Sequence, residues 1–186
     1  MSIKELSLIV ATTFDGGIGY NNKIPWYIKD DLKKFKNITT ECDVDKTNAI
    51  IMGRKTYESL PKKKLPNRIN IIITNNKEYN KFNLESDIII YNDIKEAIKY
   101  CNNNNKIDKI FIIGGATIYD YCLNNNLHNI DKIYLSILFF NKDIKCNIFI
   151  DIEKIYKNFS LIKHEKYNNS SEYKSYICYL KSNIKL

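Results

Sequence analysis

No stretch of the chain approaches the roughly 20 consecutive apolar residues of a membrane span, and the opening MSIKELSLIV lacks the build of a signal peptide. A cytoplasmic protein with no membrane association is therefore expected. There is no C-x-x-C pair. The five cysteines (Cys42, Cys101, Cys122, Cys146 and Cys178) are odd in number and scattered. That pattern argues against a disulfide framework or a zinc site and predicts free thiols in a reducing compartment, with no metal. The full dinucleotide fingerprint G-x-G-x-x-G and the Walker sequence are both missing, and no internal repeat is present. The net charge of +8 is not gathered on one helix and carries no aromatic-basic motif, so no specific nucleic-acid partner is expected. The excess fits either solvated lysines or attraction of a phosphorylated cofactor.

What is present reads as one domain, residues 1–186, with 44% hydrophobic and 27% charged residues. Short Ile-rich runs alternate with helical patterns, which predicts an α/β fold. Strands are expected at Leu6–Thr12, Asn48–Met52, Asn70–Thr74, Ile88–Tyr91 and Lys109–Ile113, nearly continuous apolar runs of the kind covered on both faces. A later group, Ile133–Phe140, Phe159–Lys166 and Tyr173–Lys181, reads as antiparallel. Helices are expected near Asp30–Ile38, Lys55–Ser59, Asp93–Cys101 and Thr117–Asn124. In the third, Asp93 caps the start and Ile94, Ala97, Ile98 and Cys101 share a face. The Asn-rich patches Asn102–Asn105 and Asn124–Asn126 read as solvated turns. A mixed sheet with flanking helices follows.

One acid is out of place. Ile28, Leu32 and Phe35 fall at i, i+4 and i+7 on one helical face, and Asp31 lies in that same stripe. Asp30 is the expected cap, so Asp31 needs a partner, either a protein cation or a ligand that brings donors. Three further features sit at strand ends. Gly53-Arg54-Lys55-Thr56 follows the strand AIIM and opens a helix, a place where backbone N–H groups and basic side chains can receive phosphate. Ile113-Gly114-Gly115-Ala116 is a second strand-to-helix turn, whose glycines admit a ligand close to the main chain. Arg68, in LPNRINIII, is suited to gripping a carboxylate.

With these motifs in order, IVA, DGGIGYNNKIPW, DDLKKF, IMGRKTYESLP, LPNRIN, FIIGGATIYDYC and IYLS, the chain resembles dihydrofolate reductase over nearly its whole length. The resemblance implies an α/β fold with a mixed, mainly parallel central sheet, flanking helices and an antiparallel C-terminal hairpin. It implies NADPH-dependent reduction of 7,8-dihydrofolate to tetrahydrofolate, by hydride transfer to C6 and protonation at N5, in support of one-carbon metabolism and thymidylate synthesis. Asp31 matches the acid that accepts from the pteridine 2-amino group and N3, with water the proton carrier to N5. Ser136 matches the hydroxyl that supports it, and Trp26 the aromatic residue that holds a water near the ring. Ile9, Val10, Leu32, Phe35, Leu60, Leu65, Ile113 and Tyr119 match the substrate walls, and Arg68 the group that grips the glutamate tail. The cofactor set would be Ala11, Ile18, Gly19, Gly53, Arg54, Lys55, Thr56, Thr74, Asn75, Gly114, Gly115, Ala116, Thr117, Ile118 and Tyr119. The Gly114–Gly115 bond is expected to be cis, and Asp15–Ile24 matches the segment that closes over the nicotinamide. Neither His128 nor His164 matches a catalytic motif.

The chain departs from the family in three places. Ile150 replaces a common proline. Asn75, followed by Asn76 and Lys77, stands where many relatives carry an Arg for the 2′-phosphate. Tyr57 replaces a common Trp. Antifolates are expected ligands, and a thymidylate synthase a fusion or binding partner. The competing readings are a related reductase acting on a ribosylated pyrimidine and a basic nucleotide-binding or RNA-binding protein without turnover. Pro25-Trp26, Asp31 and Arg68 argue against the first, and intact Asp31 and glycine turns against the second.

Overall fold

The structure, a computed structural model, describes residues 3–62, 64–79 and 87–184. Its strands are β1 (Leu6–Thr13), β2 (Gly17–Gly19), β3 (Thr47–Gly53), β4 (Ile69–Ile73), β5 (Ile89–Tyr91), β6 (Ile107–Ile112), β7 (Lys132–Phe140), β8 (Ile148–Phe149), β9 (Phe159–Asn169) and β10 (Tyr173–Ser182). The helices are α1 (Lys29–Thr40), α2 (Arg54–Ser59), α3 (Ile94–Asn103), α4 (Ala116–Asn125) and α5 (Ile152–Asn158).

Eight strands form one sheet in the order β5-β4-β3-β6-β1-β7-β10-β9. All pairs from β5 to β7 are parallel, and β10 pairs antiparallel with both β7 and β9. This is the expected mixed, mainly parallel sheet with a C-terminal antiparallel hairpin. The Ile-rich runs become its centre because both faces are covered. Leu8, Val10, Ala49, Ile51, Ile110 and Ile112 point to the face that also buries Ile94, Ala97, Cys101 and Cys122 of α3 and α4. Their alternates Ile9, Ile50, Met52, Ile72 and Phe111 point to the other face, against Phe35, Ile38, Tyr57 and Leu60. Each fully buried Ile, Leu, Phe or Met among them contributes about 1.5–3 kcal/mol from burial.

Helix starts follow two different rules. Asp93 caps α3 as expected, accepting from Lys95 N–H at 2.8 Å. Asp30 does not cap α1. The helix begins at Lys29, and Ile28 occupies the cap position in extended conformation with no side-chain bond. Burial of Ile28 fixes the chain's entry, so Asp30 and Asp31 fall inside the first turn, where a negative charge suits the helix dipole.

The segment expected to close over the nicotinamide contains β2, which pairs with β8 in a separate two-stranded sheet. Ile150 settles the turn left open by the missing proline: it is buried, and its N–H donates to Gly16 O at 2.9 Å, a bond proline cannot make. Tyr57 is buried in the second cluster, in keeping with a packing role. The Asn patches are less uniform than expected. Asn102 lies in α3 and accepts from Lys4 N–H at 3.0 Å, while Asn124 and Asn125 extend α4 and Asn126 is buried. Among the described residues no helix is long and apolar enough to cross a membrane.

Candidate active site

Parallel strands deliver their C-terminal ends to one sheet edge, and ligands bind where the strand order reverses. Here β1 is that strand, since the chain runs outward from it through β3 and β4 to β5 and returns to place β6 and β7 on its two sides. Gly53 at the end of β3 donates its N–H to Gly114 O at 2.7 Å, which joins the two glycine turns. The Gly114–Gly115 peptide is cis, as expected, and Gly114 has φ +103°. A Cβ on Gly114 would come within 2.9 Å of the Tyr119 ring, and one on Gly115 within 3.0 Å of Thr56 Oγ1. Neither position has room for a side chain, because Tyr119 and Thr56 pack directly on the main chain there.

Beside these turns lies a cleft of 980 Å³. Its lining includes every expected cofactor residue except Gly114: Ala11, Ile18, Gly19, Gly53, Arg54, Lys55, Thr56, Thr74, Asn75, Gly115, Ala116, Thr117, Ile118 and Tyr119. Val10 and Ile113 line it as well, and Gly114 is buried behind its neighbours. The sequence reading missed the rim Asn92-Asp93-Ile94 with Glu96, at the end of β5 and start of α3. Nothing in those residues signals a cleft until the sheet order is known. The bare glycine backbone, the threonine hydroxyls and the basic pair at one end form a donor set that fits a phosphorylated nucleotide cofactor. Two features temper the basic pair. α2 has only six residues, so its dipole is small, and Arg54 already grips Glu58 through Nη1 at 2.8 and 2.9 Å while lying over the Tyr79 ring.

The expected substrate walls come together on the other side of β1. Ile9, Phe35, Leu60, Leu65 and Ile113 belong to one apolar cluster. Leu32 stands apart, 46% exposed, while its stripe neighbour Ile28 is buried. Tyr119 is buried, and its hydroxyl donates to Ile9 O at 2.8 Å, tying α4 to β1 between the two halves of the site.

Arg68 is only 6% exposed, and among the described residues no carboxylate pairs with it. Its Nε donates to Pro66 O at 3.1 Å and its Nη1 to Thr39 Oγ1 at 2.7 Å, with the Phe35 ring 5.8 Å beneath the guanidinium. Burial pushes its pKa down, but a guanidinium stays charged. Two of five N–H donors are used, so a bidentate partner can still be received. Thr39 went unnoticed in the sequence, although it extends the buried stripe of α1 one turn past Phe35.

Asp31 is half-buried, and among the described residues neither Lys nor Arg pairs with it. Instead the Tyr167 hydroxyl donates to Asp31 Oδ1 at 2.8 Å. Burial raises the Asp31 pKa above the ordinary carboxylate range, while the hydroxyls of Ser136 and Tyr167 pull it back down. Ser136 is buried on β7 beside Ala11 of β1, where the resemblance places the supporting hydroxyl. Trp26 rests against Phe140 at the end of the same strand, ring centres 5.8 Å apart.

Comparison with known proteins agrees with this geometry. Residues 5–182 match the model of the family described as dihydrofolate reductase. A dihydrofolate reductase of Heliothis virescens is 32% identical over 183 residues, covering 96% of both chains. One from Candida albicans is 40% identical over 131 residues, 68% of this chain and 66% of that protein. A bifunctional dihydrofolate reductase-thymidylate synthase of Paramecium tetraurelia is 32% identical over 160 residues. That match takes in 86% of this chain but 31% of the longer protein.

Proposed function

The chain belongs to the dihydrofolate reductase family, and we propose that it reduces 7,8-dihydrofolate to 5,6,7,8-tetrahydrofolate with NADPH, by hydride transfer to C6 and protonation at N5. The observation that carries this reading is Asp31. Among the described residues it is a half-buried carboxylate whose partners are neutral hydroxyls, in a chain that also holds a buried Arg68 and a phosphate-suited cleft. A pteridine brings the donors that such a carboxylate lacks, its 2-amino group and N3–H.

NADPH, when bound, supplies the hydride. The residues of the chain bind, align and exclude water. Asp31 accepts from the pteridine and fixes its plane. Ser136 holds the carboxylate, and Trp26 keeps a water near the reacting ring. Ile9, Val10, Leu32, Phe35, Leu60, Leu65, Ile113 and Tyr119 wall the rings, and Arg68 grips the α-carboxylate of the glutamate tail. We read residues 1–186 as one reductase domain acting in the cytosol, supporting one-carbon metabolism and thymidylate synthesis. The fused relatives make thymidylate synthase the companion enzyme. The test offers NADPH with either dihydrofolate or a ribosylated aminopyrimidine. The proposal requires nicotinamide oxidation with the first and none with the second, and the reverse preference would refute it.

Discrimination of NADPH from NADH is assigned to Arg54 and Lys55, since Asn75 carries no charge. Loss of one charged contact to the 2′-phosphate is expected to cost about 1.5–3 kcal/mol of cofactor binding. Michaelis constants for both cofactors in Arg54→Ala and Lys55→Ala measure this. At least one variant should narrow the gap between cofactors. If neither does, the phosphate is held elsewhere, with Lys77 the next group to examine.

A further inference from the structure

The strand β9 makes three contacts with α1 that a regular strand could not make together. Opposite β10, Ser175 pairs with Asn168 and Tyr176 with Lys166, so Tyr167 is the extra residue of a β-bulge. In a flat strand consecutive side chains point to opposite faces. The bulge turns two neighbours the same way. Tyr167 donates to Asp31 Oδ1 at 2.8 Å, and Asn168 donates from Nδ2 to Asp30 Oδ2 at 2.9 Å. Two residues earlier, Glu165 pairs with Lys34 at 2.5 Å. One strand therefore clamps the acid-bearing turn of α1 at Asp30, Asp31 and Lys34. Glu165 and Tyr167 share the α1 face as alternate residues do, and the bulge adds Asn168 to it, so that three side chains hold the turn that carries Asp31.

We propose that Tyr167 is a positioning residue for the substrate ring, a hydroxyl held at the β9 bulge that fixes the orientation of the Asp31 carboxylate. This rests on the reading of Asp31 as the pteridine acid. Ser136 of β7 acts on both groups, and the buried Ser175 Oγ makes no hydrogen bond among the described residues. Burial and then the Asp31 charge hold the Tyr167 phenol far above its ordinary pKa, so it remains a donor across the working pH range. The charged groups around the pair are already engaged. Lys34 and Lys163 share Glu165, and Asp30 is held by Asn168. Tyr167 is one of the two hydroxyls, with Ser136, that favour the charged form of Asp31, and it holds Oδ1 at 2.8 Å. The carboxylate keeps free lone pairs for the ring, since each oxygen accepts two bonds and Tyr167 takes one.

The experiment measures binding of a 2,4-diaminopyrimidine antifolate, and kcat/KM for dihydrofolate, across pH in wild type, Tyr167→Phe and Asp31→Asn. Removing a donor from a carboxylate disfavours its charged form. In Tyr167→Phe the acid limb of antifolate binding, where Asp31 ionises, should therefore move up by about one pH unit. Turnover of dihydrofolate should fall several-fold, with the KM for NADPH unchanged. Placing 3-fluorotyrosine at position 167 keeps the ring and sharpens the donor, so the limb should move down. NADPH binding by each variant reports that it has folded. A merely structural tyrosine would alter thermal stability and leave the limb in place, and an unmoved limb in both variants overturns the proposal. Asp31→Asn separates this from the parent reading. If it removes the limb while changes at Tyr167 do not shift it, only the Tyr167 proposal fails. If it leaves the limb intact, the assignment of Asp31 itself fails.

Discussion

Asp31→Asn is expected to cut dihydrofolate turnover by roughly 10²–10⁴-fold at neutral pH, the range for groups that handle a proton in the transition state. The amide keeps the shape and can still accept from Tyr167, but it presents an N–H where the pteridine needs an acceptor. The deficit should shrink as pH falls, because the substrate then acquires its proton without help. Stability should move the other way. The folded-state pKa of Asp31 is raised, so the folded protein binds more protons than the unfolded chain between the ordinary carboxylate value and the raised one. Stability from this group therefore falls as pH rises through that window. Above it, ligand-free Asp31→Asn should melt higher than wild type. A variant with near-normal turnover at neutral pH would end the assignment, whatever its melting temperature.

Arg68→Leu is expected to weaken methotrexate, which carries a glutamate, by roughly 2–5 kcal/mol, and trimethoprim-like inhibitors, which do not, far less. Both ligand types engage Asp31, so their difference isolates the tail. The geometry sharpens the expectation. Arg68 is buried with no counter-ion among the described residues, its Nε and Nη1 are pinned by Pro66 and Thr39, and its guanidinium lies over Phe35. A guanidinium held this way loses little freedom on binding a carboxylate, so most of the charged contact is realised as affinity. Inhibition constants for the two classes measure it. Equal weakening of both would mean that Arg68 shapes the pocket without reading the tail.

Much of this was legible in the chain because the relevant signals are local. The β-strands at the centre of the sheet are continuous Ile-rich runs, and the glycine turns and basic pair sit immediately after them. The Ile28 and Phe35 stripe predicted where α1 packs, and the odd carboxylate within it marked the site. What escaped depends on register and distance. Asp30 has the composition of a cap, yet burial of Ile28 sets where α1 begins. β2 and β8 are three and two residues long and pair across more than a hundred residues, so neither has a periodicity to detect. Tyr167 looks like an ordinary strand residue, because a bulge leaves no mark in composition and its partner is 136 residues away. Leu32 shares the stripe of Ile28 by spacing, yet it stands half in solvent, because spacing places a residue on a face without showing what covers that face.

The most direct test of the central claim follows nicotinamide oxidation and folate product together, with purified protein, NADPH and 7,8-dihydrofolate. One tetrahydrofolate should form for each NADPH consumed, with both signals abolished by a stoichiometric diaminopteridine antifolate and by Asp31→Asn. Nicotinamide oxidation without tetrahydrofolate, or tetrahydrofolate formation undiminished in Asp31→Asn, would contradict it.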